Sequence, residues 1–295
     1  MKQNLILSLI AILGIMFVAQ FSFARTTQAP LVRKIQQKTP KTYPDVDDPI
    51  VEPSPFKFTT ALSFAYEQNA AENSTGIINR GLGLAIVPKF VFWDFSIRGD
   101  FLYAYDLNHP RPNSSWADGV ISLMYDGWKL SAVKFSPYTS IELPMSRESR
   151  ENREIEQVNN IGVLATLDTK ALNIENFSLS YSAAYGYFTN KYTTRVNGDP
   201  ATKYKIVQTL KTGYNFDPIS VGAKFQFISS YSYEDVVRSG FLISESISYA
   251  VNETLGYSLY HYNRAAFLKD TTYENNLQAF DRETSTVGVS MDISL

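Results

Sequence analysis

Phe177-Ser178-Leu179-Ser180-Tyr181-Ser182-Ala183-Ala184-Tyr185-Gly186-Tyr187 alternates with a period of two. Successive side chains of a β-strand point to opposite faces, so Phe177, Leu179, Tyr181, Ala183, Tyr185 and Tyr187 share one face and the serines, Ala184 and Gly186 share the other. A second block repeats the rule, with Ile219, Val221, Ala223, Phe225 and Phe227 against Ser220, Gly222, Lys224 and Gln226. One face is apolar and aromatic, and the other is small or charged. A soluble sandwich needs a core on its inner face, and here that face carries serine, glycine and lysine. The inversion is the pattern expected of a sheet closed on itself, with lipid outside and water within.

Working outward, the same alternation runs from Phe56 to the last residue. Phe58, Thr60, Leu62, Phe64 and Tyr66 oppose Thr59, Ala61, Ser63 and Ala65, and Phe95, Ile97, Phe101, Tyr103 and Tyr105 oppose Ser96, Arg98, Asp100 and Ala104. Turn chemistry separates strands near 56–68, 77–88, 93–106, 117–126, 128–143, 158–168, 176–189, 203–215, 218–231, 238–251, 254–264 and 282–295. The reading is all-β, an antiparallel transmembrane β-barrel of about twelve strands. Long polar connections at 107–116, 144–157, 190–202 and 265–281 alternate with short ones at Asp126-Gly127, Asn215–Pro218 and Val251–Thr254. Long loops belong outside the cell and short turns in the periplasm. On that assignment Trp93 and Trp128 fall at the periplasmic rim and Trp116 at the extracellular rim, where indole is favoured.

Export and domain order follow from the N-terminal region. Lys2, an apolar run from Leu5 to Phe21 and Ser22-Phe23-Ala24 form a signal peptide over 1–24, with cleavage expected before Arg25. Residues 25–55 carry Pro30, Pro40, Pro44, Pro49, Pro53 and Pro55 among charged residues. They read as a Pro-rich periplasmic tail, since proline at that density neither pairs in a sheet interior nor continues a helix. A plug folded into the lumen is the alternative. Residues 56–295 form the barrel. The chain has no cysteine, which excludes disulfides, thiol catalysis and cysteine-ligated metals, and its net charge of −2 argues against nucleic acid. With no dinucleotide, Walker or zinc-ligand spacing, no cofactor or metal is expected.

The last block, Thr286-Val287-Gly288-Val289-Ser290-Met291-Asp292-Ile293-Ser294-Leu295, ends flush with the C-terminus. Here the chain resembles bacterial outer-membrane proteins as a class. Their final strand carries a polar residue, a glycine two positions on and alternating apolar residues. Thr286, Gly288, Met291 and Ile293 match, and Leu295 stands where phenylalanine is usual. The resemblance implies the outer membrane of a Gram-negative cell, with lipid and lipopolysaccharide as surroundings. It also implies recognition of residues 286–295 by the barrel-assembly machinery.

The inward charges are the candidate site. Arg98, Asp100, Lys134, Lys205, Lys211 and Lys224 are expected to line a pore, and their basic lean would favour small anionic or zwitterionic solutes. The competing expectation is that they pair with acids such as Asp118, Glu142 and Asp168 and simply fill the lumen. The leading functional reading is a narrow channel for small solutes. A binding or structural role through the loops is the second, with the run Arg147, Glu148, Arg150, Glu151, Arg153 and Glu154 as the surface concerned.

A lipid hydrolase is the third. Such an enzyme needs a histidine beside a serine on the lipid-facing wall. Only His109 and His261 exist; His109 lies in a proline-rich loop, and His261 is followed at the right spacing by Asn263 in place of serine. No catalytic residue is therefore assigned. Glu245 falls on the lipid face, where a lone carboxylate is costly. If the turn is Asn252-Glu253-Thr254, then Tyr249 faces Tyr257, Ile247 faces Leu259 and Glu245 faces His261, an expected pair near the outer interface; a β-bulge that turns Glu245 into the lumen is the alternative. The tripeptides Asn113-Ser114-Ser115 and Asn252-Glu253-Thr254 are read as turns.

Overall fold

The computed structural model describes residues 56–72, 76–108, 113–169, 171–172, 174–267, 276–281 and 283–295. The signal peptide, the Pro-rich tail and His109 lie outside them. The strands are β1 (Phe56–Asn69), β2 (Arg80–Phe92), β3 (Phe95–Asp106), β4 (Asn113–Trp116), β5 (Gly119–Tyr125), β6 (Trp128–Leu130), β7 (Val133–Leu143), β8 (Ile155–Leu167), β9 (Phe177–Asn190), β10 (Thr202–Asn215), β11 (Ile219–Ser232), β12 (Val237–Ala250), β13 (Leu255–Ala266) and β14 (Ser285–Ser294). β4, β5 and β6 together make one interrupted stave, in which β4 and β5 pair with β3 while β5 and β6 pair with β7, so the sheet has 12 antiparallel strands. It closes where β1 pairs with both β2 and β14, in a register that sets Leu62 opposite Ile86 on one side and Ile293 on the other. Leu295 extends the seam, its amide donating to the Thr60 carbonyl at 2.8 Å and its carbonyl accepting from the Thr60 amide at 3.0 Å. Closure leaves no strand edge in the hydrocarbon, which is the condition for spanning a bilayer with strands.

Burial is inside out. Phe58, Ile161, Leu259 and Ile247 are exposed on the outer wall, whereas Ser63, Ser140, Asn160, Thr209, Gln226, Ser258 and Asp292 are buried on the inner one. Two belts of rings bound the apolar wall. At the short-turn end Phe56, Phe90, Phe92, Phe95 and Tyr125 form a chain with centroids 5.2 to 5.9 Å apart. At the long-loop end Tyr185, Tyr204 and Tyr231 stack at 5.6 and 4.5 Å. Trp93 and Trp128 sit at the short-turn end, and Trp116 packs on Tyr103 towards the other. The amphipathic rings of these residues match the two interfaces of a membrane.

Three details differ from the pattern expected of the sequence. Asn113-Ser114-Ser115 is strand, not turn: Asn113 pairs with Asp106, and the stave breaks instead at Ala117–Asp118. The same stave is interrupted again at Asp126-Gly127, where the sequence predicts a turn; the chain instead reverses at Ser131-Ala132, with Ser131 at φ of +57° and Leu130 paired with Val133. The alternation of long and short connections is also imperfect. Residues 233–236 make a short turn at the long-loop end, and 168–176 make a long connection at the other. Asn252 does act as a turn residue, its Oδ1 accepting the Thr254 and Leu255 amides at 2.8 Å.

Candidate functional site

The lumen divides into two unlike sides. Along β7 to β10, towards the long loops, it is filled. Lys205, 4% exposed, forms an ion pair with Glu142 across two intervening strands and lies 5.3 Å from the Phe188 ring. Asn160 donates to Ser140 Oγ and to Glu142 Oε1, each at 3.2 Å. Val158, Phe188 and Ile155 pack beside them as an apolar cluster. The connection after β7 coils into a single wide turn over Glu148–Asn152, with Ser149 2% exposed. Asp118, freed from the sheet by the break in its stave, accepts the Ser146 amide at 2.9 Å and the Ser149 hydroxyl, and so holds this turn. Above it, burial and then the charges of Arg153 and Arg238 lower the Arg195 pKa, and Asp199 and Glu148 oppose the shift.

The remaining side is open. A cavity of about 760 Å³ is lined by inward residues of β1 to β3 and β9 to β14, most of them small, including Ala65, Gly83, Ser180, Gly222 and Ser246. Small side chains at inward positions leave space that long ones would fill. Lys211 and Lys224 face this cavity directly opposite one another on β10 and β11. Across it, Glu67 accepts from the Tyr260 hydroxyl at 2.8 Å and the Tyr262 hydroxyl at 3.2 Å. Tyr260 reaches Glu67 by lying over Gly288, where an added Cβ would stand 2.5 Å from the ring. The glycine thus seats the tyrosine.

The structure separates the six expected pore residues into paired and unpaired groups. Arg98 donates from Nε to Asp100 at 3.0 Å on the same strand, so this pair is internally neutral. Lys134 pairs with Asp126 at 2.6 Å at the short-turn end. Lys205 pairs with Glu142 as above, and Asp168 takes Lys129 at 2.8 Å. Among the described residues neither Lys211 nor Lys224 has a carboxylate within ion-pair distance. Glu67, Tyr260, Tyr262 and Arg264 were not among the expected pore residues. Period-two alternation places them inward, but β13 carries aromatic residues on both faces, which erases the contrast that marks a lumen side.

On the outer wall Glu245 stands opposite His261, with Tyr249 opposite Tyr257 and Ile247 opposite Leu259. Glu245 Oε2 lies 2.8 Å from His261 Nδ1. Phe280, from the connection between β13 and β14, stacks on the imidazole at 5.8 Å. Asn263 is fully buried under the same connection, donating to the Gln278 carbonyl at 2.8 Å and accepting the Thr284 hydroxyl at 2.6 Å. The side chain in the place a nucleophilic serine would occupy is thus spent on holding a loop.

No protein-family model matches the chain, and no curated protein matches it. Solved structures do. An outer-membrane channel from Pseudomonas putida F1 superposes with a TM-score of 0.53 at 8% identity, covering 85% of this chain and 100% of that one. The NanC porin superposes with a TM-score of 0.52 at 8% identity, covering 80% and 100%. At such identity the likeness is one of fold. Together with the closed sheet, the apolar outer wall and the ring belts, it makes the chain a membrane-spanning barrel of the bacterial outer-membrane type.

Proposed function

We propose that this barrel is a narrow passive channel for small solutes across the outer membrane, with a lining that favours anionic or zwitterionic ones. The observation that carries the reading is the cavity of about 760 Å³ inside the sheet, walled by glycine, alanine and serine and bearing lysines without acidic partners among the described residues. A barrel filled by its own side chains has paired charges and long residues at these positions. Twelve staves also place the bore between an eight-stranded barrel, which side chains fill, and the wide aqueous pore of sixteen strands. Residues 286–295 are assigned to the barrel-assembly machinery on the same class resemblance, and lipopolysaccharide to the outer leaflet around the loops. The deciding experiment is planar-bilayer recording on the refolded chain, its folding checked by the mobility difference between boiled and unboiled samples. Discrete current steps are expected. Folded protein that inserts and passes no current above background overturns the reading.

A further inference from the structure

We infer that Lys211 and Lys224, with the hydroxyls flanking them, form an oxyanion site in the lumen wall that takes the carboxylate or phosphate group of a small solute. The inference deepens the channel reading and rests on it for the solute's presence in the lumen. Like charges directly opposite on adjacent strands destabilise a sheet, because their Cβ atoms stand about 4.5 to 5.5 Å apart. Lys211 and Lys224 are such a pair, and both line the cavity. The acids around the cavity are engaged elsewhere, Asp106 by the Asn108 amide at 2.8 Å. Asp100 is held by Arg98 on β3, and Glu67 is held by Tyr260 and Tyr262. The next charged residue along this wall is a further cation. Arg264 projects into the cavity from β13, two residues nearer the long loops than Tyr262, which shares a row with Lys224 through Ser244. Of the other lysines in the strands, Lys129, Lys134 and Lys205 each have a carboxylate, and Lys57, Lys89 and Lys203, which have none within ion-pair distance among the described residues, are exposed. A pair placed together and left without one is arranged for a counter-charge that arrives from outside.

The register supplies the rest of the site. Ser180 is opposite Lys211, and Ser244 is opposite Lys224, so one row across β9 to β12 reads Ser180, Lys211, Lys224, Ser244. Adjacent strands are about 4.8 Å apart, so the four side chains present two ammonium groups between two hydroxyl donors over roughly 15 Å of wall. Ammonium groups are point-charge binders of phosphate and carboxylate, and hydroxyls add directional donors at either edge. A spherical halide would need the charge but not the flanking donors. The row thus matches an oxyanion with several acceptors, carried on a solute small enough for the cavity.

The test uses the full chain folded in detergent and two probes, inorganic phosphate and succinate. Saturable phosphate binding by calorimetry is expected. Lys211→Met with Lys224→Met should weaken it about tenfold or more, since charge-assisted hydrogen bonds are lost. Lys211→Arg with Lys224→Arg should retain it, and Lys129→Met, which lies outside the cavity lining, should change it less than about twofold. If the double methionine variant fails the folding check, Lys224→Gln reads the same affinity loss from one site. Absence of saturable binding of both probes to the natural chain, or equal affinity in the lysine variants, overturns the inference. Binding of succinate without phosphate, or the reverse, supports it and fixes the head group. Phosphate binding by a barrel that passes no current supports the site and removes the channel.

Discussion

The filled side of the lumen, β7 to β10 towards the long loops, and the open side around β10 to β14 and β1 to β3 are written in the same alternating code. Both put lysine, serine and glycine inward. They differ in what a lysine meets. Lys205 has Glu142, Asn160 lies against the same carboxylate, and the coiled turn held by Asp118 closes over them. Lys211 and Lys224 have one another. The composition of an inner face thus says that water or polar groups fill a barrel, and the pairing of its charges says which. Pairing depends on residues brought together from distant strands, as with Lys205 and Glu142, 63 positions apart.

The comparison breaks most visibly at the filled side. Glu142→Ala leaves the Lys205 ammonium buried without its counter-ion, and removing one partner of such a pair costs about 3 to 5 kcal/mol. Lys224→Ala on the open side should cost nothing and should recover a few tenths of a kcal/mol, because it relieves like-charge repulsion across the ladder. Urea unfolding of the two variants in the same detergent measures both. Equal destabilisation would mean that the two sides are energetically alike.

Seating of Tyr260 should come next. Gly288→Ala places a methyl 2.5 Å from the Tyr260 ring, so either the ring lifts off Glu67 or the β13–β14 ladder shifts. Overpacking of this kind costs about 1 to 3 kcal/mol. The same unfolding assay reads it, and a drop in channel conductance is expected as the displaced ring enters the cavity. A variant as stable and as conductive as the natural chain would remove Gly288 from the site.

Ion selectivity gives a smaller and finer contrast. Lys224→Ala deletes an uncompensated charge of the open wall and should move the reversal potential in a salt gradient towards that of a cation channel. Arg98→Ala exposes Asp100 as it removes the arginine, yet starts from a neutral pair, 34% and 35% exposed and partly screened by water. Its shift should have the same sign and be the smaller of the two. A larger shift from Arg98 would place the narrowest part of the path at β3 in place of β10 and β11.

Much of the barrel was legible in the chain because lipid and water select opposite faces of every strand, and a period of two has only one register that satisfies both. The boundaries of β1, β9, β10 and β11 fall within a residue or two of the alternating blocks for that reason. Position alone was not enough at Asn113-Ser114-Ser115, where polar turn-like residues are drawn into β4 by the ladder with β3. Nor could the lumen be divided into filled and open sides from the pattern. Arg98 with Asp100 is a two-residue relation along one strand and was visible as adjacent charges, but Tyr260 with Glu67 joins residues 193 positions apart. The register between Glu245 and His261 could be counted from a single short turn, since Asn252 fixes the hairpin and the ladder carries the count upward.

The smallest expected effect tests whether the open side is open in the whole chain. Residues 25–55 join the barrel at Phe56, the short-turn end, and their prolines make them poor material for packing. They also carry Asp45, Asp47 and Asp48, a few residues before the first strand. An extended chain spans at most about 3.3 to 3.6 Å per residue, so those carboxylates are within reach of the lumen mouth and would answer Lys211 and Lys224 if they entered. Composition argues for a tail in the periplasm, where its charges stay hydrated. Deleting residues 25–55 should therefore leave heat-resistant mobility, single-channel conductance and phosphate affinity unchanged within the error of each measurement. A rise in both conductance and phosphate affinity on deletion would show the tail competing for the lysine pair. The open side would then be a second filled side, with the filling supplied by the tail instead of a neighbouring strand. Loss of folding would give the tail a structural role in the barrel wall. Replacing the three aspartates with asparagine in the full-length chain separates the electrostatic contribution from simple obstruction, since only the former disappears with the charges.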